Sequence, residues 1–192
     1  MSMLRDWDQQ FPGCEPVAPF VREALPNRWV RFHSLPESKR YPEVEAEYAT
    51  LLHRHHRILE ELAGPRREVV LLTTGYSDSP EPVRGYPELE ALDPRAKPWR
   101  SVAMHDPEEA LTFPNYWHVY SSSWQWRTGV LDSIVRLVAD HVIANVMIVD
   151  IDCRWLLHPY DGGMDVIAAS TDERDSLKAR YADWLSARSD GL

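Results

Sequence analysis

The stretch Val146 to Ala169, VMIVDIDCRWLLHPYDGGMDVIAA, decides the fold. It holds three short apolar runs, Val146 to Ile151, Trp155 to His158 and Met164 to Ala169. Asp152-Cys153-Arg154 separates the first two, and Pro159 to Gly163 the last two. Parallel neighbours would need a crossover of about a dozen residues, so connections this short predict an antiparallel meander. On its C-terminal side, Ser170 and Glu173 have capping-box spacing ahead of Leu177, Tyr181, Trp184 and Leu185, which predicts a terminal amphipathic helix. On its N-terminal side, Val130 to His141 carries apolar residues around a wide face and predicts a buried helix.

Further upstream, Val44, Tyr48, Leu51, Leu52, His55, Ile58, Leu59 and Leu62 recur at helical spacing between Pro42 and Ala63, and Gly64-Pro65 stops the helix. The unbroken Val69-Val70-Leu71-Leu72 within Glu68 to Thr73 reads as a strand covered on both faces. Strands are expected at Trp99 to His105 and Tyr116 to Ser122, where β-branched and aromatic residues cluster. The intervening stretch, about 75–98, is rich in Pro and Gly and predicts a long ordered loop with one short helical turn. Together these elements predict an α+β fold, mainly an antiparallel sheet with helices packed on it, as one domain over 1–192. A parallel doubly wound sheet is the structural alternative.

The composition is that of an ordinary globular chain, with 44% hydrophobic and 27% charged residues among 192. A net charge of −9 argues against nucleic acid and anionic membrane surfaces as partners. The longest apolar run, Val142 to Val149, is far shorter than the about 20 residues of a membrane span. Met1 to Gln10 lacks the apolar stretch of a secretory signal, and two distant cysteines give no disulfide framework. A bacterial, cytoplasmic protein without membrane or nucleic-acid partners is therefore expected, its oligomeric state open.

The run His158-Pro159-Tyr160-Asp161-Gly162-Gly163-Met164-Asp165-Val166-Ile167, followed by Trp184-Leu185-Ser186 and the closing Gly191-Leu192, resembles an uncharacterised bacterial domain-of-unknown-function family. Arg28-Trp29-Val30-Arg31-Phe32, the long helix and the Val69 to Leu72 strand are similar to its front half, from which this chain departs by a longer Pro-rich insertion. The resemblance implies a complete stand-alone domain and no particular chemistry.

The candidate site is the 158–165 turn, where His158, Tyr160, Asp161 and Asp165 gather around two glycines that permit a sharp bend or a close ligand. The competing reading is a hairpin in which Asp161-Gly162 makes the turn, Tyr160 packs and Asp165 pairs with an arginine. Asp150 and Asp152, two apart at a strand end, would point to one face as a hard cation requires, with a third ligand from Asp161 or Asp165. No metal signature accompanies them, and no metal or cofactor is expected. His53, His55 and His56 cannot share one ion on a regular helix, since His55 points about 200° from His53; His55 belongs to the apolar stripe and the other two face solvent.

Trp124 and Trp126 join the candidate set. With Tyr116, His118 and Tyr120 they would share one face of a continuous strand, more rings than a solvent face carries, so a second layer, a partner or a ligand must cover it. No serine elbow, Cys-His arrangement or glycine-rich phosphate loop is present. The resulting expectation is a non-catalytic protein-interaction domain, immunity-like or regulatory. The alternative is a small metal-dependent hydrolase or nucleotide-processing enzyme built on His158, Asp161 and Asp165.

Overall fold

The continuous Val69 to Leu72 run has the place its composition demands. In the computed structural model, which describes residues 5–65, 67–104 and 115–186, β2 (Glu68–Ser77) is an interior strand buried on both faces. Seven strands form one sheet in the order β1-β7-β6-β5-β2-β4-β3. The others are β1 (Trp29–His33), β3 (Lys97–Met104), β4 (Asn115–Gln125), β5 (Met147–Asp150), β6 (Leu156–Tyr160) and β7 (Gly163–Ile167). Every pairing is antiparallel, which excludes the doubly wound alternative.

Alternation along β2 sends Val69 and Leu71 to one face and Val70 and Leu72 to the other. The first face meets Ile58, Leu59 and Leu62 of α3 (Glu45–Ala63), Ile134 and Val138 of α5 (Asp132–Ala139), and Leu177 of α6 (Thr171–Arg180). The second meets Trp7 of α1 (Arg5–Gln10), Val21 of α2 (Ala18–Ala24), Phe11, and the buried cysteines Cys14 and Cys153. The described residues thus form an α+β domain with a helical layer on each side of the sheet. No helix among them is long and apolar enough to cross a membrane.

Several boundaries differ from expectation for physical reasons. The long helix begins at Glu45, with Val44 extended as its N-cap. The buried helix shrinks to Asp132–Ala139, because His141 takes a positive φ of 58°. Ser170 Oγ accepts from the Glu173 amide at 3.1 Å, while the Glu173 carboxylate accepts from the amide of Ala169 instead of Ser170, a capping box shifted by one residue. The last helix stops at Arg180, a single turn (Ala182–Trp184) follows, and Leu185 bridges to Phe32. His105 and Gly191-Leu192 lie outside the described residues.

The Pro-rich excursion is ordered and contains one short helix, α4 (Pro87–Leu92). It supplies the second layer that the aromatic face of β4 requires. His118, Tyr120, Ser122 and Trp124 oppose Gly75, Thr73, Leu71 and Val69 in register, on the face that α3 and α5 share. Gly75 lets the excursion come down on that face: a Cβ there would lie 2.1 Å from the Val83 carbonyl oxygen. Trp126 falls one residue beyond β4 and is buried in the same core as Val69 and Leu71, its indole N–H donating to Glu60 of α3 at 3.1 Å.

Candidate functional site

The β6–β7 hairpin has a loop of only Asp161 and Gly162, since Tyr160 pairs with Gly163. Gly163 admits no side chain, because a Cβ would lie 2.2 Å from the Phe32 carbonyl oxygen and 2.8 Å from the Tyr160 hydroxyl. This close approach lets β1 pair along β7, and it sets Arg31, Asp165 and His158 in one row across three strands.

In that row the Arg31 guanidinium donates to both oxygens of Asp165, Nε at 2.8 Å and Nη2 at 2.9 Å, a bidentate fork. The same guanidinium lies 4.7 Å over the Tyr160 ring and 5.6 Å over Trp29. His158 Nδ1 donates to the Val146 carbonyl at 2.8 Å. Burial holds the His158 pKa below its ordinary value, against the bond to Val146, and pushes Tyr160 up to about 12.

Asp161 turns to different partners. Its Oδ2 accepts from Arg40 Nε at 2.9 Å and Nη2 at 2.8 Å and from the Tyr41 hydroxyl at 3.2 Å, with His141 Nδ1 at 3.5 Å. The carboxylate is 8% exposed, whereas Arg40 and His141 are 63% and 76% exposed. The hydrogen bond to Asp161, with its charge, raises the Arg40 pKa. Asp161 and Asp165 therefore serve two separate arginines and do not converge with His158 on a common ligand position.

The other carboxylate pair is engaged by a single arginine, Arg154. Asp150 is buried and accepts from Arg154 Nε at 2.7 Å and Nη2 at 3.0 Å. Asp152 lies past the end of β5, in the turn to β6, with Arg154 at 3.8 Å. Among the described residues no group of three or more His, Cys, Asp or Glu side chains is arranged to hold a metal ion. On α3, His53 is exposed and His55 buried, but His56 is half-buried and meets Asp132 at 2.6 Å, a correction to its expected solvent position.

Two polar groupings have no local sequence signature. His118 is buried between two serines, Nε2 at 2.8 Å from Ser77 Oγ and Nδ1 at 2.8 Å from Ser101 Oγ. Beside it, the excursion buries Arg84 and Asp93 against Tyr120, with the Arg84 guanidinium 5.0 Å over the ring. Asp93 Oδ2 accepts from the Ser122 hydroxyl, which in turn accepts from the Trp124 indole N–H at 2.8 Å. Trp124 is half-buried beneath Arg95, at 5.2 Å. The only hint in the sequence was the ring-rich face of β4, which called for a cover.

No curated protein and no solved structure matches the chain. Residues 17–189 match a protein family, and the chain belongs to it: the family described as Domain of unknown function (DUF3885).

Proposed function

We propose that this domain binds another protein, in an immunity-like or regulatory role, through the surface around Asp161. The observation that carries the reading is one buried carboxylate tying down three side chains from two segments, Arg40 and Tyr41 from one and His141 from the other, with Arg40 and His141 strongly exposed. Arg and Tyr are enriched where binding energy concentrates. Holding them in place before association lowers the entropy lost on binding. Arg40 also stacks on Tyr41 at 5.3 Å, so the guanidinium and ring present themselves as a unit. Exposed Val44 and Val142 follow directly in the same two segments and add apolar surface.

The metal-dependent hydrolase reading has less support, since both carboxylates it needs are engaged by arginines. The test is affinity capture from source-cell extract with the native chain and a Tyr41→Ala/His141→Ala variant in parallel, followed by calorimetry with the purified partner. That variant keeps the Arg40–Asp161 pair and hence the fold. The expected result is a partner whose Kd rises about tenfold or more in the variant, roughly 1.4 kcal/mol, at an unchanged melting temperature. A partner held equally by both proteins rejects this surface. A melting-temperature rise with Mg²⁺, Mn²⁺, Zn²⁺ or nucleotides that Asp161→Ala/Asp165→Ala abolishes would favour the enzyme.

A further inference from the structure

The excursion between β2 and β3 and the face of β4 beneath it enclose a cleft of about 480 Å³, within the range of small-molecule sites. Arg84, Glu90, Asp93 and Tyr120 line it, with Pro82 and Pro94 as apolar walls. Two opposite charges are buried there, Arg84 at 9% and Asp93 at 1% exposure, yet they do not close on each other. Arg84 Nη2 stands 4.0 Å from Asp93 Oδ2 and donates instead to the carbonyls of Leu89 at 3.1 Å and Asp93 at 3.2 Å. Asp93 Oδ2 is taken by the Ser122 hydroxyl. A donor, Arg84 Nε, and an acceptor, Asp93 Oδ1, are left buried without protein partners. Buried polar groups are nearly always satisfied, so an unmatched donor and an unmatched acceptor on two residues that line one cleft call for explanation.

We infer that this cleft binds a small zwitterion, an α-amino acid, with its carboxylate at Arg84 and its ammonium at Asp93 and Glu90. The charge pattern selects the class. A dianion such as phosphate would meet two carboxylates, and a diamine would meet the guanidinium; only a ligand carrying both signs side by side suits all three groups. The Arg84 guanidinium lies 5.0 Å over the Tyr120 ring, and a guanidinium is the side chain best suited to a planar carboxylate. Burial lowers the Arg84 pKa and raises that of Tyr120. Pro82, Pro94 and the Tyr120 ring receive the ligand's side chain.

The test is a thermal-shift screen of the full chain against the proteinogenic L-amino acids at millimolar concentration. Each is compared with its N-acetyl derivative, which lacks the ammonium, and its amide, which lacks the carboxylate. At least one free amino acid is expected to raise the melting temperature, both blocked forms to leave it unchanged, and Arg84→Lys and Glu90→Gln to weaken binding severalfold. Glu90 is exposed, so Glu90→Gln and the blocked ligands decide the matter even if Arg84→Lys fails to fold. No shift with any amino acid, equal shifts with blocked forms, or undiminished binding by the folded variants would overturn the inference. The Tyr41→Ala/His141→Ala variant should retain the shift, which separates this site from the proposed protein-binding surface.

Discussion

Arg31 and Asp165 face each other across the β1–β7 register, joined by two N–H···O bonds of 2.8 and 2.9 Å and almost closed to solvent. Such a pair is costly to break from one side, because the survivor stays charged and buried. Asp165→Ala is expected to lower stability by about 3–5 kcal/mol, read from urea denaturation. Replacing both partners by apolar residues, Arg31→Met with Asp165→Leu, should recover much of that loss, since no uncompensated charge remains. A double variant no more stable than Asp165→Ala would mean that the guanidinium stacking on Tyr160 and Trp29 matters more than the ion pair.

Gly75 and the Val83 carbonyl define how tightly the Pro-rich excursion is seated. A Cβ at Gly75 would also lie 2.6 Å from the Arg84 carbonyl oxygen, so backbone must move to admit it. Gly75→Ala should cost about 1–3 kcal/mol as overpacking. Its more telling effect is local: limited proteolysis should cut between Ser77 and Lys97 faster than in the native chain. Unchanged cleavage would mean that the excursion is held elsewhere, through Leu89 in the core and Asp93 on Ser122 of β4.

Much of this architecture was legible because it rests on local periodicity. The unbroken Val69 to Leu72 run required cover on both faces and received it from α3 on one side and α1 and α2 on the other. Spacing alone fixed the meander, and the excess of rings on β4 called for the second layer that the excursion provides. The hidden parts depend on distant pairings. Asp93 finds Ser122, His118 finds Ser77 and Ser101, and Asp161 finds Arg40, which lies 121 residues away. Nothing at either end of such a pair marks it in sequence. The short helices α1 and α2 escaped notice for another reason, since six and seven residues carry too few turns for a periodic signal. The carboxylates of the 158–165 turn were visible as residues, but their division between Arg31 and Arg40 was not.

The Ser77–His118–Ser101 chain makes a prediction about proton position. Ser77 Oγ donates to the Ser79 carbonyl at 2.9 Å, so toward His118 it can only accept. The proton of a neutral His118 therefore sits on Nε2, and Nδ1 accepts from the exposed Ser101 hydroxyl. Long-range ¹H–¹⁵N correlation spectra should show the Nε2–H tautomer, and Ser101→Ala should leave it unchanged. Ser77→Ala removes the acceptor that fixes the tautomer and should bring in the Nδ1–H form. A native spectrum showing Nδ1–H would reverse the direction of the whole chain.

His55 carries the clearest pH dependence. It is fully buried on α3, its Nδ1 donating to the Leu51 carbonyl at 2.9 Å, while Nε2 is buried without a protein partner. Burial pushes its pKa from 6.5 down to about 4, against the opposing bond to Leu51. Above pH 6.5 the ring is neutral in both folded and unfolded chains and contributes no slope. As the pH falls from 6.5 toward 4, the unfolded chain takes up a proton that the folded chain refuses, so stability declines through that window. The loss reaches about 2 kcal/mol near pH 5 and about 3 kcal/mol below pH 4. His158, also buried with a lowered pKa, adds a loss of the same sign. Chemical denaturation of the native chain and His55→Leu between neutral and acid pH checks this. The variant should lose about 2 kcal/mol less on going to pH 5, and parallel losses in the two proteins would mean that His55 is protonated in the folded state.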